Sequence, residues 1–165
     1  MKSDSSPNIL RYWAPAILWL AVIAVESFTL SGNVTGVWLQ QVLGWVHIHL
    51  SPAAFSEFHH ALRKTGHVTG YGILCLLLFR SWFHTLAGET GLRSQRFRCA
   101  ALGLSSTLLT AILDEWHQSF DPTRTSSPMD VGLDMCGAIV FLCLALFVFR
   151  AWHRVPSEEM EPVSA

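Results

Sequence analysis

Four apolar stretches, 12–30, 67–83, about 99–120 and 131–149, divide the chain. Each reaches or approaches the roughly 20 residues that an α-helix needs to cross the hydrocarbon core of a bilayer. Of 165 residues, 51% are hydrophobic and 14% charged, and 7 are tryptophan, which is too apolar a balance for an ordinary soluble domain of this length. The sequence therefore predicts an all-α, polytopic membrane bundle of four transmembrane helices. The third stretch is the least regular, because its unbroken apolar part stops at Leu113.

The partner these stretches imply is the lipid bilayer. A net charge of −1, with basic residues scattered between apolar stretches, excludes a nucleic-acid partner. Cys75, Cys99, Cys136 and Cys143 lie within or at the edges of the stretches without CxxC spacing, and read as small packing residues. Lys2 and Arg11 ahead of an apolar run imitate a secretory signal. The run is long, however, Glu26 interrupts the expected cleavage region and three further stretches follow, so the first helix is expected to stay uncleaved.

Orientation follows from lysine and arginine. With a cytoplasmic amino terminus, Lys2, Arg11, Arg80, Arg93, Arg96, Arg98, Arg150 and Arg154 lie inside, and only Arg63, Lys64 and Arg124 outside. This positive-inside asymmetry places both tails, 1–11 and 151–165, in the cytoplasm around a membrane domain at 12–150 of the cytoplasmic membrane. The long outer loop, 31–66, holds two further helix candidates. Segment 34–50 is too short to cross comfortably and reads either as an interfacial helix with tryptophans at headgroup depth or as a buried packing helix. Ser51-Pro52 has the form of a helix start, serine as cap and proline in the first turn, leading through 55–65 into the second span and making that helix project beyond the bilayer. His47, His49, His59 and His60 read as solvated loop residues.

The polar residues near the outer ends of the spans are unusual. Ionisable groups within membrane segments cost about 2.5–3.5 kcal/mol each at a helix centre, so a dense set of them reads as one shared site. Lys64, His67 and Tyr71 share a helix face at i, i+3, i+7, with His60 one turn earlier. Asp114, His117 and Gln118 repeat the logic at i, i+3, i+4 on the third helix, and Glu115 points about 100° away. Asp130 and Asp134 open the fourth, where the helix dipole favours negative charge. The proline-, hydroxyl- and aspartate-containing turn at 120–128 makes the third and fourth helices antiparallel neighbours and holds Arg124 over their polar ends. Gly66, Gly70 and Gly72 are expected to let helices approach closely.

At these residues the chain resembles the VanZ-like family of small bacterial membrane proteins. The matching pieces are Lys64-x-x-His67-x-x-x-Tyr71, Asp114-Glu115-x-His117-Gln118-x-Phe120, and Arg124 with Ser126 or Ser127 before Asp130-Val131-x-x-Asp134-x-x-Gly137. The resemblance implies a helical membrane bundle and, by analogy with the founding member, a link to low-level resistance to the glycopeptide antibiotic teicoplanin. It brings no settled reaction.

Three chemistries fit the polar set. In the first, an enzyme acts at the outer leaflet on an anionic lipid-linked or cell-wall precursor. There Lys64 and Arg124 hold a phosphate or carboxylate, with Tyr71, Gln118, Asp130 and Asp134 completing the binding site, while His67 or His117 moves a proton, oriented by Asp114 or Glu115. In the second, the same residues bind or shield that component without catalysis, which the lack of a serine or cysteine nucleophile beside a histidine favours. In the third, the set is a structural network fixing the bundle. Asp114, His117, Asp130 and Asp134 would be the ligands of a divalent ion, but their spacing matches no recognised metal signature and no cofactor is assigned.

Overall fold

The computed structural model describes residues 9–29, 32–87, 91–120 and 126–152. All regular structure among them is helical: α1 (Leu10–Thr29), α2 (Gly32–Trp45), α3 (Pro52–Thr85), α4 (Leu92–Gln118) and α5 (Pro128–Trp152). By length and composition α1, α4 and α5 qualify as membrane spans, over Leu10–Phe28, Leu92–Gln118 and Pro128–Arg150. The fourth expected span, 67–83, lies inside α3, which does not qualify by composition. Its position supplies a physical reason. α3 is the central helix, packed against α5 most extensively and against α4 and α1 as well, so its polar residues meet protein in place of lipid.

The core follows from that centrality. Tyr71, Leu74 and Leu78 of α3 are buried with Ala16 and Ile23 of α1 and Ala111 of α4, and Cys75 is buried with Ala138 and Leu142 of α5. Leu18, Leu109, Phe147 and Val148 on the outer helices remain exposed, as side chains facing lipid should. Cys75 and Cys99 are buried packing residues, as expected, whereas Cys136 and Cys143 are exposed on α5. The α3–α5 crossing is tight. A Cβ on Gly137 would lie 2.4 Å from the Val68 carbonyl oxygen, and one on Gly72 would lie 2.6 Å from the Phe141 ring. Gly66 and Gly70 differ from the expectation: a Cβ on either meets nothing within 4 Å, so they do not serve helix contact.

Ser51 caps α3, its hydroxyl accepting the Ala54 N–H at 3.3 Å, with Pro52 as the first helical residue. At 34 residues α3 is about 50 Å long, well beyond the roughly 30 Å hydrocarbon thickness. α4 starts at Leu92, earlier than the apolar pattern at 99 suggests, because Arg93, Arg96 and Arg98 are good helix formers whose charge hides the helix from a hydropathy reading. Arg96 lies over the Phe149 ring, 5.4 Å from its centroid.

α2 is not a buried packing helix, since Val37, Trp38, Val42 and Trp45 are all exposed. It ends in a Schellman motif: His47 takes a left-handed φ of 56° while Ile48 N–H donates to Leu43 O at 2.9 Å and His47 N–H to Gly44 O at 3.1 Å. Its tie to α3 is Thr35 Oγ1 against His59 Nε2 at 2.9 Å. Hence His59, expected in a solvated loop, is helical and half-buried, and His60 is helical too. Burial, then Arg63, then His60 push the His59 pKa below the ordinary imidazole value of about 6.5. A depressed imidazole pKa means the undocked state takes up the proton first, so docking of α2 weakens as pH falls through about 6.5 and is unaffected above it. Nuclear magnetic resonance titration should show His59 with a midpoint below the ordinary imidazole value of about 6.5, and hydrogen exchange of α2 should quicken as pH falls through that range. A midpoint at or above the ordinary value would contradict this.

Candidate functional site

Each polar stripe is set by helical rotation of about 100° per residue. On α4 this fans four side chains in the order His117, Asp114, Gln118, Glu115. On α3 it puts Lys64 on one flank, Arg63, Gly66 and Gly70 on the other, and His67 between. The packing of α3 between α1, α4 and α5 then pairs the stripes across helices. Lys64 Nζ lies 3.4 Å from Asp130 Oδ1, His67 Nδ1 lies 3.6 Å from Asp134 Oδ2, and the Tyr71 hydroxyl donates to Asp114 Oδ2 at 2.8 Å. Three residues expected on one face of α3 thus meet three carboxylates from two other helices.

Two adjoining clefts surround these pairs. The first, about 430 Å³, is bounded by His60, Lys64, Glu115, Asp130, Leu133 and Asp134. The second, about 440 Å³, is bounded by Ile23, Glu26, Ser27, Thr35, Gly66, Gly70, Tyr71 and Asp114. Arg63, His67 and Gln118 line both and form the partition. The missing side chains of Gly66 and Gly70 leave room for the second cleft, and Trp19 Nε1–H secures that stretch by donating to the Gly70 carbonyl at 2.9 Å. Depth is graded by charge in the first cleft. The Lys64 side chain is 42% exposed and that of Asp130 22%, whereas Asp134 is 1%, Gln118 5% and Glu115 7% exposed.

The inner residues are differently satisfied. One Glu115 carboxylate oxygen accepts the Ser127 N–H at 3.1 Å, and the Ser126 hydroxyl donates to the Glu115 carbonyl at 2.9 Å, which fastens the start of α5 to the end of α4. Among the described residues, neither carboxylate oxygen of Asp134 has a hydrogen-bond partner, and neither does Gln118 Nε2. Buried polar atoms without partners are uncommon and demand an account. A His67 ring held beside a buried carboxylate and lining both clefts is suited to moving a proton.

Some expected members lie elsewhere. His117 turns to α1, its Nδ1 3.4 Å from Ser27 Oγ and its ring 4.0 Å from the Phe28 centroid, and lines neither cleft. It is thereby separated from Asp130 and Asp134, and among the described residues no three His, Cys, Asp or Glu side chains form a group able to hold a metal ion. Arg124 lies outside the described residues. Arg63 and Thr35, not expected from the sequence, line the clefts, as do Glu26 and Ser27 near the outer end of the first apolar stretch. A signal for Arg63 existed: Arg63, Gly66 and Gly70 at i, i+3, i+7 make a stripe in which a cation stands beside two absent side chains.

The model of the VanZ/LLP1 protein family matches residues 12–150 of the chain. No curated protein and no solved structure matches it.

Proposed function

The chain belongs to the VanZ/LLP1 family, and on that premise we propose that it is a membrane protein that binds the phosphate-bearing headgroup of a lipid-linked envelope component in the cleft at one end of its bundle. In this reading α3 crosses the bilayer as a fourth span shielded by α1, α4 and α5, both termini are cytoplasmic, the cleft opens to the outer face and α2 lies in the outer interface. The observation that carries it is the convergence of the polar ends of α3, α4 and α5 on one cleft, with Lys64 and Arg63 as its fixed cations among the described residues. Arginine and lysine at such an opening hold phosphate by charge-assisted hydrogen bonds. Binding of this kind would withhold an envelope component from a glycopeptide, the consequence the family resemblance implies.

The test removes the cations. Arg63→Gln with Lys64→Gln in the full chain, in nanodiscs of native lipid, is expected to cut retention of phosphate lipids measured by native mass spectrometry by about tenfold while melting shifts little, because exposed ion pairs contribute only about 0–1 kcal/mol. Unchanged retention together with a large loss of melting temperature would replace binding by a structural network. The His67–Asp134 pair supports a second reading, in which the held component is also altered by general acid–base catalysis. In that case expression of the chain changes the mass of envelope lipids or wall precursors, and His67→Gln abolishes the change.

A further inference from the structure

The charge of the two clefts does not suit a simple anion. Among the described residues, five carboxylates, Glu26, Asp114, Glu115, Asp130 and Asp134, face them against the fixed cations Arg63 and Lys64. Carboxylates gathered out of water repel one another and any bound phosphate unless a positive group comes among them. Asp130 has Lys64, and Asp114 has the Tyr71 hydroxyl. Asp134 is the exception: 1% exposed, lining the first cleft, it has no hydrogen-bond donor on either oxygen among the described residues, and His67 faces it at 3.6 Å, as an ion-pair partner beyond hydrogen-bond distance. An acceptor of that kind calls for an N–H or O–H from a ligand. Gln118 Nε2, also buried on the same cleft and without a partner among the described residues, calls for an acceptor oxygen. Charge is graded with burial along the cleft: Lys64 at the exposed end, Asp134 and Glu115 at the buried end.

We propose that the first cleft receives a zwitterionic headgroup tip-first, a primary ammonium settling on Asp134 and Glu115 at the floor and the phosphate behind it staying with Lys64 and Arg63 at the mouth. The inference rests on the phosphate-binding reading above and narrows it to one substrate class. The depth order decides the class, because a phosphoethanolamine-type group carries its ammonium distal and its phosphate proximal to the lipid. A primary ammonium offers three N–H donors, whereas a quaternary one offers none and leaves Asp134 unsatisfied. A divalent cation suits the floor less well, since no three carboxylate or imidazole groups gather there in a ligand set among the described residues.

The experiment uses the full chain in nanodiscs of phosphatidylcholine doped in turn with phosphatidylethanolamine and phosphatidylglycerol, with retained lipid read by native mass spectrometry. Phosphatidylethanolamine is expected to be retained about tenfold over either of the others, the ratio set by one or two charge-assisted hydrogen bonds. Asp134→Asn should bring that ratio to near unity. Glu115→Gln, which keeps an acceptor for the Ser127 N–H, should reduce it and serves if Asp134→Asn fails to fold. Equal retention of phosphatidylglycerol and phosphatidylethanolamine would overturn the ammonium site and leave phosphate binding standing, while retention of neither would overturn both. Soluble phosphoethanolamine that raises the melting temperature would place recognition in the headgroup alone, and a rise seen only with the lipid would assign it to the membrane form. The same Asp134-dependent rise with magnesium or calcium would overturn the proposal.

Discussion

Replacing Gly137 by alanine is expected to separate α3 from α5 and to dismantle the cleft with them. The added Cβ would stand 2.4 Å from the Val68 carbonyl oxygen, 3.0 Å from its carbon and 2.8 Å from Val68 Cγ1. A carbonyl fixed in the middle of a continuous helix cannot swing aside as a side chain can, so relief must come from moving one helix. Overpacking of this kind costs on the order of 1–3 kcal/mol where side chains give way, and more is expected where backbone is the obstacle. Gly72→Ala is the instructive contrast, because its Cβ meets the Phe141 ring, which can rotate at smaller cost. Gly132→Ala meets nothing within 4 Å and should be neutral or slightly stabilising through helix propensity. Thermal melting of the three variants in detergent should rank Gly137→Ala far below Gly72→Ala, and that below Gly132→Ala. A Gly137 variant that melts like the parent would disprove the tight crossing. Since Val68 adjoins His67 and Gly137 is three residues beyond Asp134, the same substitution should also abolish lipid retention.

The second large effect concerns the pair next to that crossing. His67→Ala leaves the Asp134 carboxylate, 1% exposed, without its ion-pair partner among the described residues. Stranding a buried charge typically costs roughly 3–5 kcal/mol, whereas removing both members of a pair costs far less. The double variant His67→Ala with Asp134→Asn is therefore expected to be more stable than His67→Ala alone. Denaturation of the parent, both single variants and the double variant closes a cycle whose coupling energy measures the pair directly. Simple additivity would mean that His67 and Asp134 do not interact.

Much of the fold was legible because membrane helices announce themselves by length. α1, α4 and α5 coincide with three of the apolar stretches, and Ser51-Pro52 marked the start of α3. The start of α4 was hidden by three arginines. The composition of α3 left its own case as a span undecided, because a central helix need not be apolar all round. At the site, spacing named residues correctly as neighbours on a helix but could not say which neighbour each would face. Asp114 and His117 sit about 60° apart by helical rotation, and that angle suffices to send one to Tyr71 and the other to Ser27. Glu115, read as pointing away toward a different neighbour, faces the first cleft and holds Ser127, while Asp114 faces the second. Rotation of one helix against another is fixed by packing, here of α4 against α3 where Gly103 lies close to Phe79, and a single sequence carries no direct record of it.

The 34-residue length of α3 bears on how a ligand arrives. On the proposed topology the helix enters hydrocarbon near His67, so Arg63 and Lys64 stand about 5 Å higher, level with the phosphates of the surrounding leaflet. A phosphate headgroup then meets these cations at the depth it already occupies, and the protein samples the membrane by lateral diffusion and needs no carrier.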